Sequence, residues 1–134
     1  MTSRRGTLIE DGAREILRMH GYSVLVVPPG FSKKNPPAHL VASRPSGETR
    51  FIRIRKFSKL PSTVDMVKQK CGLDLVQLRK HIARHIGEAG NHYEIWIYSV
   101  SYGFRCFEVL RDSIHEIPKL SLHGPVVSRA GGVA

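Results

Sequence analysis

The residues of this sequence best placed to do chemistry are two arginines. In TRFIRIRKF, residues 49 to 57, Arg53 and Arg55 stand one residue apart. On a β-strand that spacing puts both guanidiniums on one face with Phe51, and Ile52, Ile54 and Lys56 on the other. Paired guanidiniums, with His39 on the preceding strand, could hold a phosphate bidentately. They cannot ligate a metal, because an arginine is a permanent cation that only donates hydrogen bonds. The plainer reading is that both arginines snorkel from an exposed or edge strand and that His39 is a hydrogen-bonded residue at a strand start.

Other chemistry is poorly supported. His81 and His85 lie four positions apart on a predicted helix, but the intervening I-A-R lacks the glutamate of zinc hydrolases. No Ser, Cys or Lys stands beside a general base, and no Gly-rich phosphate loop is present. Cys71 and Cys106 have no close-spaced Cys or His partner and read as small core residues in a reducing compartment, with a disulfide between them left open.

The elements that must position these residues follow from periodicity. Residues 7 to 20 read as a helix stopped by Gly21, with Ile9, Ala13, Ile16 and Leu17 on one side. Strands are predicted over 23 to 27, 39 to 43 and 49 to 57, the last two joined by the turn P-S-G-E. The loop FSKKNPP carries Lys33 and Lys34 between the first two. A helix capped by Ser62 or Thr63 runs toward Cys71, Gly72 interrupts, and a longer helix follows from Asp74 to about His85. Two strands, 93 to 100 and 104 to 110, complete the order αβββααββ, which predicts an α/β fold with a mixed sheet and helices on both faces. Trp96, Tyr98, Phe104 and Phe107 read as core. Residues 4 to 117 form one expected domain, and 118 to 134 a flexible or loosely packed tail.

Charge narrows the partner. The 134 residues carry 21 Lys and Arg against 11 Asp and Glu, a net charge of +10, which favours a polyanion, with nucleic acid ahead of an anionic membrane. No apolar run is long enough to span a bilayer, and acids appear at Glu10 and Asp11 before any signal-type segment, so a cytoplasmic, intracellular protein with no membrane partner is expected.

The stretches RRGTLIEDGAREILRMHGYSVLVV and PAHLVASRPSGETRFIRIRKF resemble the core of the restriction-endonuclease-like superfamily, and within it the archaeal Holliday-junction resolvases. The resemblance spans roughly residues 4 to 110. Arg5, Gly6, Glu10, Gly21 and Tyr22 carry it in the expected order. It implies a mixed central sheet flanked by helices, a symmetric homodimer, and metal-dependent phosphodiester cleavage by an aspartate entering the second strand and a glutamate and lysine on the third. Those positions fall on His39, Arg53 and Arg55, so only Glu10 keeps the expected type. A register shift would offer Lys56 instead, on the opposite face unless a bulge intervenes.

Magnesium needs hard oxygen ligands, usually carboxylates, to activate water beside a phosphate. Glu10 alone supplies too few, and Thr7 to Glu10 also matches a capping box. The leading expectation is therefore a nonenzymatic DNA-binding protein without a cofactor, contacting phosphates of duplex or branched DNA through Arg5, Lys33, Lys34, His39, Arg53, Arg55 and Lys56, with Arg44, Lys59, Lys68 and Lys70 as further candidates. One alternative is an atypical nuclease dependent on Mg or Mn, with Glu10 and His39 catalytic. Another is a structural subunit whose altered face meets a protein partner. The dimer interface is expected on the final strands, at Tyr93, Ile95 and Ile97 or their alternate face. A carboxylate cluster of Asp65 or Asp74 near Glu10 would favour catalysis, and Arg53 buried against an internal carboxylate would overturn phosphate binding.

Overall fold

The computed structural model describes residues 3–27, 38–59, 61, 63–85, 89–100 and 102–118, with the backbone alone over 3–7. The expected tail from 119 onward, the loop with Lys33 and Lys34, and the Arg5 side chain lie outside the described residues.

The first helix, α1 (Ser3–Met19), places Ala13 and Leu17 against the sheet. It starts a turn earlier than the capping pattern predicts, so residue 7 lies inside the helix and is not its cap. Its C-terminus closes with Gly21 at φ +89°, where the Gly21 N–H donates to the Arg18 carbonyl and the Tyr22 N–H to that of Leu17. A left-handed residue in this position satisfies the last carbonyls, and glycine adopts it without strain.

Six strands follow in sheet order β1 to β6: β1 (Ser23–Val26), β2 (Leu40–Ser43), β3 (Thr49–Lys56), β4 (Asn91–Ser99), β5 (Gly103–Val109) and β6 (Ile114–Ile117). All neighbours are antiparallel except β3 and β4, which run parallel. A parallel pair requires a crossover, and here it is made by α2 (Val64–Lys70) and α3 (Gly72–Arg84). Thr63 caps α2, its hydroxyl accepting from the Met66 N–H at 3.2 Å.

The crossover fixes which side chains meet. Tyr93, Ile95, Ile97, Phe107 and Val109 pack with Val67, Cys71, Leu75 and Leu78 beneath α2 and α3. On the opposite face Leu40, Ala42, Ile52, Trp96 and Cys106 pack under α1. The cysteines thus lie in separate cores, both free and buried. Tyr93, Ile95 and Ile97 are interior, which removes them as a dimer surface. The sixth strand, absent from the predicted order, extends β5 by a hairpin in which Val109 pairs with Ile114.

Candidate nucleic-acid interface

Arg53 and Arg55 project toward α3, as the alternation of β3 requires, and the helix meets them with Asp74. Arg53 Nε donates to Asp74 Oδ1 at 2.5 Å, and Arg55 Nη1 donates to Oδ2 at 2.8 Å. The carboxylate is 1% exposed, while the Arg53 and Arg55 side chains are 22% and 37% exposed. Two partly exposed cations therefore bridge one internal anion. An unpaired carboxylate there would be strongly disfavoured, and two charge-assisted bonds offset that penalty.

His39 completes this group. Its Nδ1 lies 2.8 Å from the backbone nitrogen of Ile54, which can only donate. Nδ1 must then hold the lone pair, and the proton of the neutral ring sits on Nε2. Burial, followed by Arg53, holds the His39 pKa below its ordinary value; Asp74 opposes the fall and Arg55 adds to it. The adjoining Cys71 thiol is pushed up by burial and then by Asp74, against Arg55, Arg53 and Lys70.

The other expected site residues are dispersed. Glu10 precedes Ala13 and Leu17 on the stripe of α1 that meets the face opposite Arg53. Its pKa is raised by partial burial and then by Asp11, with Arg14 pulling it down, so the charges acting on it belong to its own helix. Lys56 follows Ile54 onto that same opposite face and is exposed. Asp65 is exposed in the first turn of α2.

This locus does not fit the magnesium centre that the resemblance implies. Both oxygens of Asp74 already accept from guanidiniums, and a divalent ion beside them would face two fixed positive charges. Among the described residues, no three His, Cys, Asp or Glu side chains are placed to share a metal ion.

A second charged network lies under the α1 face. Arg50 pairs with the fully buried Glu94, and its Nε donates to the Tyr22 hydroxyl at 2.7 Å. Trp96 Nε1 donates to the other Glu94 oxygen at 2.8 Å. Arg44 pairs with Glu48 and lies over the Tyr22 ring, 4.5 Å from its centroid. Burial pushes the Glu94 pKa up, against the pull of Arg50 and Trp96.

Sequence reasoning missed Asp74 as the partner of both arginines; the local pattern signalled only that Asp74 is buried and needs a cation, not which one. Cys71, Asp74, Leu75 and Leu78 recur at helical spacing, which puts a carboxylate on an apolar stripe, and an acid buried there is paired.

The structure is similar to that of Hjc, a Holliday junction resolvase from the archaeal hyperthermophile Archaeoglobus fulgidus, with a TM-score of 0.55 and 16% identity over 87% of this chain and 90% of that one. The likeness establishes the restriction-endonuclease-like fold, here a six-stranded mixed sheet flanked by helices. No protein-family model and no curated protein sequence matches the chain.

Proposed function

We propose that this protein binds DNA phosphates without hydrolysing them. The observation that carries the reading is the pair Arg53 and Arg55 on β3 with their counter-ion Asp74, at positions to which the resemblance assigns the glutamate and lysine of a metal nuclease. The net charge of +10 supports a polyanionic partner, and the fold shared with a junction resolvase makes DNA the favoured one and branched DNA the form to test first. The arrangement set against phosphate binding is met for Arg53, which is held by the internal Asp74 carboxylate while keeping 22% of its side chain exposed, so Arg53 is withdrawn as a phosphate contact. The outward contacts fall to the more exposed Arg55 and to cations around it.

Affinity from phosphate contacts is salt-dependent and weakly sequence-specific. The protein acts as a homodimer in the cytoplasm and needs no cofactor. No described helix is long and apolar enough to cross a membrane.

The test is a titration of the full chain against duplex and four-way-junction DNA at about 50 and 200 mM salt, with strand cleavage followed in Mg²⁺ and Mn²⁺. Binding that weakens steeply with salt, without cleavage, is expected. Cleavage abolished by Glu10→Ala would overturn the noncatalytic reading, and no binding to either DNA would transfer the function to a protein partner.

A further inference from the structure

Positive charge is matched unevenly over this molecule. Under α1, Arg44 and Arg50 meet Glu48 and Glu94. Between residues 53 and 70, by contrast, the sequence has six Lys and Arg and a single acid, Asp65. Asp74 answers only Arg53 and Arg55. Lys56, Lys59, Lys68 and Lys70 are exposed, and among the described residues none of them forms an ion pair.

Arg55 and one of these lysines, Lys70, both lie against a single ring. The Arg55 guanidinium carbon lies 5.8 Å from the centroid of the Phe57 ring, and Lys70 Nζ lies 5.6 Å from the same centroid. Phe57 is half-buried, and packing against the core beneath α2 and α3 holds its ring. An aromatic face attracts a cation through its quadrupole without cancelling the charge. The ring therefore orients both groups and leaves both able to attract an anion. Lys70 also suits the negative end of the α2 dipole, which explains a cation there but not its convergence with Arg55.

We infer that Arg55 and Lys70, gathered over Phe57, form the principal phosphate contact of the DNA-binding face. The inference rests on the proposed DNA-binding function and narrows it, moving the contact outward from Arg53 and His39 to the junction of β3 and α2. Asp74 holds Nη1 of Arg55, so the guanidinium is fixed on its inner side and meets a phosphate from the solvent side.

The experiment is fluorescence anisotropy with a labelled DNA duplex, using the full chain as wild type, Arg55→Ala, Lys70→Ala and, as a control on the opposite face, Arg18→Ala. Near-UV circular dichroism checks that each variant is folded. Arg55→Ala and Lys70→Ala are each expected to lose about five- to tenfold in affinity at moderate salt, and to lower the slope of log affinity against log salt by about one. Arg18→Ala should stay within about twofold of wild type. If the wild type binds and the two variants match it, if only one of them weakens, or if Arg18→Ala weakens equally, the paired contact is overturned while DNA binding stands. A wild type that does not bind DNA overturns both readings.

Discussion

The Ile54 backbone N–H donates to Nδ1 of His39 at 2.8 Å, so the ring can take up a second proton only by giving up that bond. Burial and Arg53 act in the same direction and hold the pKa below 6.5. Between the lowered folded value and 6.5 the unfolded chain binds more protons than the folded one, so stability rises with pH through that window. His39 should thus contribute fully above about pH 6.5 and lose its contribution as pH falls through the folded pKa. A histidine NMR titration is expected to show the Nε2–H tautomer and a midpoint below 6.5. A midpoint at or above that value would contradict the assignment.

Arg50 and Glu94 supply a stability test far from the proposed interface. Glu94 has no exposed surface, so Arg50→Met leaves a buried carboxylate without its cation. Urea denaturation should show a loss of about 3–5 kcal/mol. Adding Glu94→Gln removes the stranded charge and keeps an acceptor for Trp96 Nε1, so the double variant should be more stable than Arg50→Met alone. A double variant less stable than the single would show that the pair is not coupled through charge.

Much of this architecture was legible because it is written in local period. The alternation in FIRIRK puts Arg53 and Arg55 on one face, the Gly21 stop follows α1, and the Thr63 cap opens α2. Three features were not. Ile114 and Ile117 are three residues apart in a strand of four, a spacing without two-residue alternation, so β6 left no pattern to detect. The early start of α1 falls in S-R-R-G, which has no apolar residue to mark a face. The pairings of Asp74 with Arg53 and of Glu94 with Arg50 arise from the crossover and the parallel β3–β4 register, and such long-range partners are not encoded in any local window.

Close backbone approach makes Gly90 a sensitive position. Its φ is +84°, and a Cβ built there would lie 3.0 Å from the Gly47 carbonyl oxygen, a backbone atom that cannot swing aside. The Gly90 carbonyl also accepts from the Thr49 N–H at 2.8 Å, tying the start of β4 to the start of β3. Gly90→Ala is expected to cost about 2 kcal/mol. In native-state hydrogen exchange the Thr49 amide should lose protection more than amides of β5. Unchanged stability would mean that the loop relaxes freely.

Asp74 is the residue on which the stability of this locus and the charge of the proposed interface meet. Asp74→Ala deletes the acceptor of two arginines and leaves their charges facing each other. The arginines are partly exposed, so solvent screens the repulsion, and the expected loss is about 2–3 kcal/mol by urea denaturation, at the low end for a broken buried pair. Arg53 is less exposed than Arg55 and closer to the carboxylate, so Arg53→Ala should destabilise more than Arg55→Ala. Each leaves Asp74 one partner, and neither should reach the cost of removing the acid. A double-mutant cycle between Asp74→Ala and Arg53→Ala is expected to give a coupling of about 1–2 kcal/mol. A coupling near zero would mean that Asp74 does not hold Arg53, and the division of labour that gives the outward contact to Arg55 would fail with it.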